Sequence, residues 1–141
     1  MSATPEAIFT GYEQAIARRD ADAIVADYAP DPVGYDLAPP LVQQGTALHD
    51  AAAIRTWFDT WEDDLRVTHR DLHVLQDGDL AVVHGLQHMT GTKKGEGATS
   101  LWFRTTIAAR RIEGDWKIAH IHTSVPMAMD GSGKALADLK P

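Results

Sequence analysis

The apolar positions first recur at helical spacing: Ile8, Tyr12, Ala15 and Ile16 fall on one face. Ahead of them Thr4-Pro5-Glu6 supplies a capping hydroxyl, a proline for the first helical position and an acid for the first turn. A helix is therefore predicted from about Pro5 to Arg19. Asp20 or Asp22 can cap a short second helix over Ala23 to Tyr28, which Pro30 and Pro32 stop. Val33 to Asp36 reads as a brief strand, followed by a turn-rich segment through Pro39-Pro40 to Gly45. From Asp50 to Glu62, Ala53, Ile54, Trp57, Phe58 and Trp61 mark one face of a third helix. After Leu65 the period drops to about two, over Arg66 to Leu75, Leu80 to Thr90, Thr99 to Ile112 and Trp116 to Val125. Asp77-Gly78-Asp79, Lys93 to Gly97 and Glu113-Gly114-Asp115 separate these stretches as hairpin connections. Helices set against an antiparallel meander make an α+β architecture. No internal repeat or low-complexity run interrupts it, so residues 1–141 read as one domain, with 127–141 as a surface or interface tail.

Composition narrows what such a domain does. Of 141 residues, 44% are hydrophobic and 23% charged, and 20 acids against 13 lysines and arginines leave a formal charge of −7. There is no cysteine, which excludes disulfides, thiolate metal sites and a cysteine nucleophile, and no asparagine. The start, MSATPEAIFT, has neither a basic nor an apolar leader segment, and no stretch approaches the roughly 18 apolar residues of a membrane span. A cytoplasmic protein without a membrane partner is expected. The acidic balance, with no basic cluster beyond pairs such as Arg110-Arg111, argues against nucleic acid, whose binding rests on neutralised phosphates.

Seven histidines are the unusual feature. His69 and His73, and likewise His84 and His88, are four apart, but in strands that spacing separates them by about 13 Å, too far to share an ion. His120 and His122 are closer, about 6.6 Å on one strand face. No HExxH motif is present, and neither a metal nor another cofactor is expected. His120 and His122 either satisfy hydrogen bonds in a subunit interface or serve a pocket. Asp36 sits between Val33-Gly34-Tyr35 and Leu37-Ala38-Pro39-Pro40-Leu41, where desolvation is expected to raise its pKa and make it a general base. Its alternative is a turn-capping role before two prolines. Tyr35, Trp57, Trp61, Trp102 and Phe103 are either core aromatics or walls of a pocket for a small apolar molecule. Arg104, a charge in an apolar strand, contacts a ligand or pairs with an acid across an interface.

Tyr12 on the first helix, Asp20 after its end and Asp36 after the first strand stand at the spacings of the tyrosine, helix-boundary aspartate and catalytic aspartate of ketosteroid isomerases. With the element order, this resembles the nuclear transport factor 2-like superfamily, which includes those isomerases, SnoaL-like polyketide cyclases and limonene epoxide hydrolases. More narrowly, Asp36 with Pro39-Pro40-Leu41, Trp102-Phe103-Arg104, Trp116-x-Ile118-x-His120-x-His122-x-Ser124-x-Pro126 and Ser132-Gly133-Lys134-Ala135-Leu136 look like a bacterial SnoaL-like, ketosteroid-isomerase-homologue family. The resemblance implies a cone-like curved antiparallel sheet wrapped by three N-terminal helices, a cone-shaped pocket and a homodimer through the convex sheet face. It further implies that Asp36 takes a proton beside a carbonyl while Tyr12 hydrogen-bonds the enolate oxygen.

The match places Leu101 where the second oxyanion acid of the isomerases would stand, and losing one such donor typically costs on the order of 100- to 1000-fold in rate. The first strand is expected beside the last, so that Asp36 could orient His120 or His122 as an alternative base. His122 is accordingly a candidate catalytic residue, although a literal match turns Thr123 toward the pocket. Two classes of function follow. One is a cofactor-independent isomerase or cyclase acting on an apolar carbonyl compound; the other is a non-catalytic ligand-binding or dimerisation module.

Overall fold

The computed structural model describes residues 2–141. Its helices are α1 (Ala7–Arg18), α2 (Ala21–Ala26) and α3 (Ala51–Phe58). Its strands are β1 (Tyr28–Tyr35), β2 (Gln43–Gln44), β3 (Arg66–Asp77), β4 (Leu80–Lys93), β5 (Gly97–Ile112) and β6 (Asp115–Ser124). They form one curved six-stranded sheet in the order β2-β1-β6-β5-β4-β3, left open at β2 and β3. Neighbours are antiparallel except β1 and β6, which run parallel. This is the expected α+β architecture, with the first strand beside the last.

Local chemistry explains where the helices begin and end. Asp20 accepts from the Ala23 N–H at 3.0 Å and starts α2, and Asp50 does the same for Ala53 at the start of α3. At α1 the expected Thr4 cap is not made: Glu6 occupies the cap position without a side-chain bond, and the Ala7 N–H is taken by the Thr4 carbonyl at 3.2 Å. Arg19 ends α1 in the left-handed conformation, at φ 56°. Its guanidinium donates to the carbonyls of Phe58 (2.7 Å), Trp61 (3.2 Å) and Glu62, tying the end of α1 to that of α3. With those carbonyls satisfied, α3 stops at Phe58 rather than running on to Glu62. Pro30 and Pro32 do not follow a helix but lie inside β1, where the pairing with β6 slips between Tyr28 and Val33. A proline in that slip removes no ladder donor.

Two further irregularities decide which way side chains face. In β3 the pairing shifts between Arg70 and His73, with Asp71 at φ 56°. Gly85 lies opposite, and a Cβ there would stand 2.8 Å from Leu72 and 2.9 Å from the Arg70 carbonyl. In β6 the pairing shifts so that Ala108 faces His120 while Ala109 faces Ile118, leaving Ala119 as an extra residue.

Ile8 and Phe9 of α1 pack on Val83, Ile107, Ala109, Trp116 and Ile118 of the concave face. Ala15 and Ile16 pack instead with Ile24, Phe58, Trp61 and Leu65. After β6 the chain doubles back through Ala128 N–H to Lys134 O and Leu136 N–H to Pro126 O, both 2.8 Å, and Met129 is exposed. Among the described residues no helix is long and apolar enough to cross a membrane.

Candidate functional site

Between the helices and the concave face lies a cavity of about 500 Å³. Its walls are mainly apolar: Ile8, Phe9 and Ile16 of α1, Ile54 and Trp57 of α3, Met89 of β4, Phe103 and Ile107 of β5, and Ile118 and Ile121 of β6. Tyr12, Asp27, Tyr28, Asp36, Gln87 and Thr123 bring polar atoms to it. An apolar enclosure with a few polar groups suits a small hydrophobic molecule.

Asp36 follows β1 at the mouth of this cavity. Its Oδ1 accepts from the Leu37 N–H at 2.7 Å and from the Thr123 hydroxyl at 3.1 Å. Both donors hold the same oxygen, which leaves Oδ2 as the oxygen available to a ligand. The residue is exposed, so the desolvation expected from its apolar sequence neighbours is absent.

Tyr12 stands further in. Burial pushes its phenol up to about 12, the Asp36 carboxylate adds to the rise, and the Gln87 side chain opposes it. Tyr28 is raised by burial first, and then by Tyr12, Asp36 and Asp27. Both phenols therefore keep their protons at neutral pH and act as donors. Burial also raises the carboxyl of Asp27, which Lys117 opposes.

The sheet divides the sequence-predicted residues between its two faces. Tyr12, Asp36, Trp57 and Phe103 line the cavity, and Tyr35 reaches its rim. His122 does not face Asp36. The extra residue Ala119 puts Ile118, Ile121 and Thr123 on the concave face and His120 and His122 on the convex one, opposite Ala108 and Thr106. The Tyr35 ring meets His120 at 4.7 Å and His122 at 5.4 Å, edge-on. His120 Nδ1 lies 2.7 Å from the Val33 carbonyl.

Strand alternation explains the rest. With Phe103 inward, Trp102 and Arg104 point outward; Trp102 stacks on His88 at 4.2 Å, and Arg104 Nε donates to the Ser124 hydroxyl at 3.1 Å. Trp61 lies beyond the end of α3, buried in the core, where a Cβ on Gly91 would come within 3.1 Å of its ring. Leu101 pairs with Met89 and does not line the cavity. Among the described residues no three His, Cys, Asp or Glu side chains are grouped as a metal site requires.

Sequence reasoning missed Tyr28, Asp27 and Gln87. Tyr28 and Asp27 were hidden by a second helix drawn too long. Gln87 had a signal: in an alternating strand it shares the face of Val83 and Met89.

Similarity to known proteins agrees with this geometry. The family profile described as SnoaL-like domain matches residues 6–128. An NTF2-like protein of unknown function from Pseudomonas putida is 31% identical, with 96% of this chain and 93% of that one covered and a TM-score of 0.81. A ketosteroid isomerase-like protein from Erwinia carotovora is 27% identical over 86% of this chain and 93% of that one, with a TM-score of 0.69. The CaMKII hub of S. rosetta shares the fold at 22% identity, over 84% of this chain and 91% of that one, with a TM-score of 0.66. No functionally curated protein matches.

Proposed function

The chain belongs to the SnoaL-like domain family, and we propose that it is a cofactor-independent enzyme of the isomerase or cyclase type, moving a proton on an apolar carbonyl compound held in the cavity. The observation that carries this reading is one carboxylate and one neutral phenol, Asp36 and Tyr12, converging on a single apolar enclosure. With Oδ1 held by Leu37 and Thr123, Oδ2 is free to take a proton from the carbon beside the carbonyl. The Tyr12 hydroxyl then donates to the oxygen on which charge develops. Tyr28 is the neighbouring phenol available as a second donor, in a site where Leu101 supplies none.

The test is deuterium exchange into 2-tetralone, a compact apolar ketone with acidic protons beside its carbonyl. The wild type, Asp36→Asn and Tyr12→Phe are compared by NMR in heavy water. Exchange that Asp36→Asn leaves untouched sinks the reading.

The second reading is a non-catalytic binding or dimerisation module, and Leu101 is the observation that favours it. We further propose a homodimer through the convex face, where Val82, Leu86, Trp102 and Ala108 are half-buried in the single chain. A monodisperse monomer at micromolar concentration in light scattering overturns that assignment.

A further inference from the structure

Gln87 brings an amide into a wall of hydrocarbon. Alternation along β4 turns it inward with Val83 and Met89, opposite Phe103 of β5, and it lines the cavity while only 6% exposed. On the β3 side it meets His69, directly opposite in register, and one end of the amide lies 3.2 Å from the ring Nε2. The His69 side chain is 1% exposed and is itself fixed, by Glu13 at 2.9 Å from Nδ1 and by the Phe9 ring at 4.5 Å.

An amide has two functions, an oxygen and an NH₂, and His69 engages one of them. The other has no hydrogen-bond partner among the described residues, the Tyr12 hydroxyl included. Nor is it sealed in protein: the buried side-chain atoms left without a partner, among the described residues, are Trp61 Nε1 and Thr105 Oγ1. The free end of Gln87 therefore opens on the cavity that the residue lines. The Tyr12 ring stands 6.3 Å from the same imidazole, so the phenol and the amide reach the cavity side by side, one from α1 and one from β4.

A polar group held in an apolar wall discriminates between ligands. One that covers it with hydrocarbon strips its water and returns no bond, whereas one with a matching group restores the bond. Either end of the amide can be the free one, and the ligand group that suits both is a hydroxyl, which donates and accepts.

We infer that the free end of Gln87 binds a hydroxyl of the ligand, beside the carbonyl that Tyr12 holds, and so selects a hydroxy ketone over a plain ketone. The inference rests on the reading of Tyr12 as donor to the carbonyl, which fixes where that oxygen lies. The two ligand oxygens then stand on neighbouring carbons or with one carbon between them, and the enol of such a compound carries two hydroxyls at the same spacing. Gln87 is thus a specificity-determining residue in contact with the ligand, and Glu13 and His69 hold it in place.

The experiment uses aromatic stand-ins for the enol, titrated by their own fluorescence. 2-Naphthol has one hydroxyl; 2,3- and 1,3-dihydroxynaphthalene add a second on the adjacent carbon or the next. In the wild type the second hydroxyl of one of the diols is expected to tighten binding by roughly 5- to 100-fold. In Gln87→Leu that gain disappears while 2-naphthol still binds. A gain that survives in folded Gln87→Leu, or no gain from either diol in the wild type, overturns the inference; so does a Gln87→Leu variant that loses affinity for 2-naphthol itself, since Gln87 then shares the first oxygen. If Gln87→Leu does not fold, the side-chain amide signals of Gln87 in the nitrogen NMR spectrum of the wild type decide: they are expected to move with the diol and not with 2-naphthol, and signals that ignore the diol overturn the inference. Exchange of 2-tetralone that depends on Asp36, without any gain from the diols, removes the role of Gln87 and keeps the enzyme reading. A gain that depends on Gln87, without exchange, removes the enzyme reading and keeps Gln87 as the selector.

Discussion

Thr123 and His122 are neighbours in β6 and look out of opposite sides of the sheet. On the side of Thr123 there are few polar groups, and several are tied in pairs: Thr123 to Asp36, Gln87 to His69, His69 to Glu13, while the buried Thr105 hydroxyl has no partner. On the side of His122 there are many, and they pair ring to ring in the open. His73 stacks on His84 at 5.2 Å, His88 on Trp102 at 4.2 Å, and His120 and His122 crowd the edge of Tyr35. The convex face is richer in residues of catalytic type, and the concave face has the enclosure. Chemistry needs the second more, because an apolar surround strengthens each hydrogen bond and charge that it contains.

The largest effect expected on this contrast is on proton transfer. Asp36→Asn should lower 2-tetralone exchange by on the order of 100- to 10,000-fold, as loss of a general base does. Tyr12→Phe should cost on the order of 100- to 1000-fold, as loss of an oxyanion donor does. If Asp36→Asn and His122→Ala were equally harmless, the two faces would be equally inert and the binding-module reading would stand.

How much of this was legible follows from the same contrast. The four long strands and their meander order were visible in the period; the place of β1 beside β6 and the joint role of Tyr12 and Asp36 were implied by the resemblance, and β2 and the first half of β1 had no signal. The inward turn of Phe103 follows from alternation with Trp102 and Arg104. His122 was misplaced because a single extra residue, Ala119, reverses the parity of β6, and no alternating pattern announces which residue is extra. Asp36 was expected to be desolvated because its neighbours in sequence are apolar, yet Leu37 and Ala38 stand exposed at the edge of the cavity and Leu41 lies outside it. Glu13 and His69 lie 56 positions apart, and only the folded sheet brings them together.

Packing separates the faces by a smaller margin. Ile107 is fully buried on the concave side of β5, and Thr106 is half-buried on the convex side. Ile107→Ala should cost about 2–5 kcal/mol of stability by opening a cavity. Thr106→Ala should stay within about 0.5 kcal/mol in the monomer. Urea midpoints for the two variants provide the check. A comparable loss at Thr106 would mean that the convex face is covered in solution.

Alkaline pH should mark the concave face alone. Burial and Asp36 raise Tyr12 from the usual 10.0 to about 12, so the unfolded chain loses that proton first. A group raised on folding contributes stability that is intact below the unfolded value and is lost as pH rises through the folded one. Stability is therefore expected to fall between pH 10 and about 12, and less steeply in Tyr12→Phe. Identical alkaline limbs for the two proteins would place Tyr12 in contact with water.

The smallest effect is the sharpest discriminator, because it compares adjacent residues. Thr123→Val keeps the shape of the side chain and removes one of the two hydrogen bonds to Asp36 Oδ1, leaving the Leu37 N–H at 2.7 Å. The bond orients the carboxylate rather than adding to its basicity, so exchange should slow by up to roughly tenfold. The freed Oδ1 also lets the carboxylate turn, which should appear in the rate rather than in the affinity for 2-tetralone. His122→Ala, one residue away, touches His120 and, of the cavity, only the rim residue Tyr35, and should leave exchange within about twofold. If the two outcomes were exchanged, β6 in solution would have the opposite parity, with Ala119 absorbed into a regular strand and His122 beside Asp36 after all.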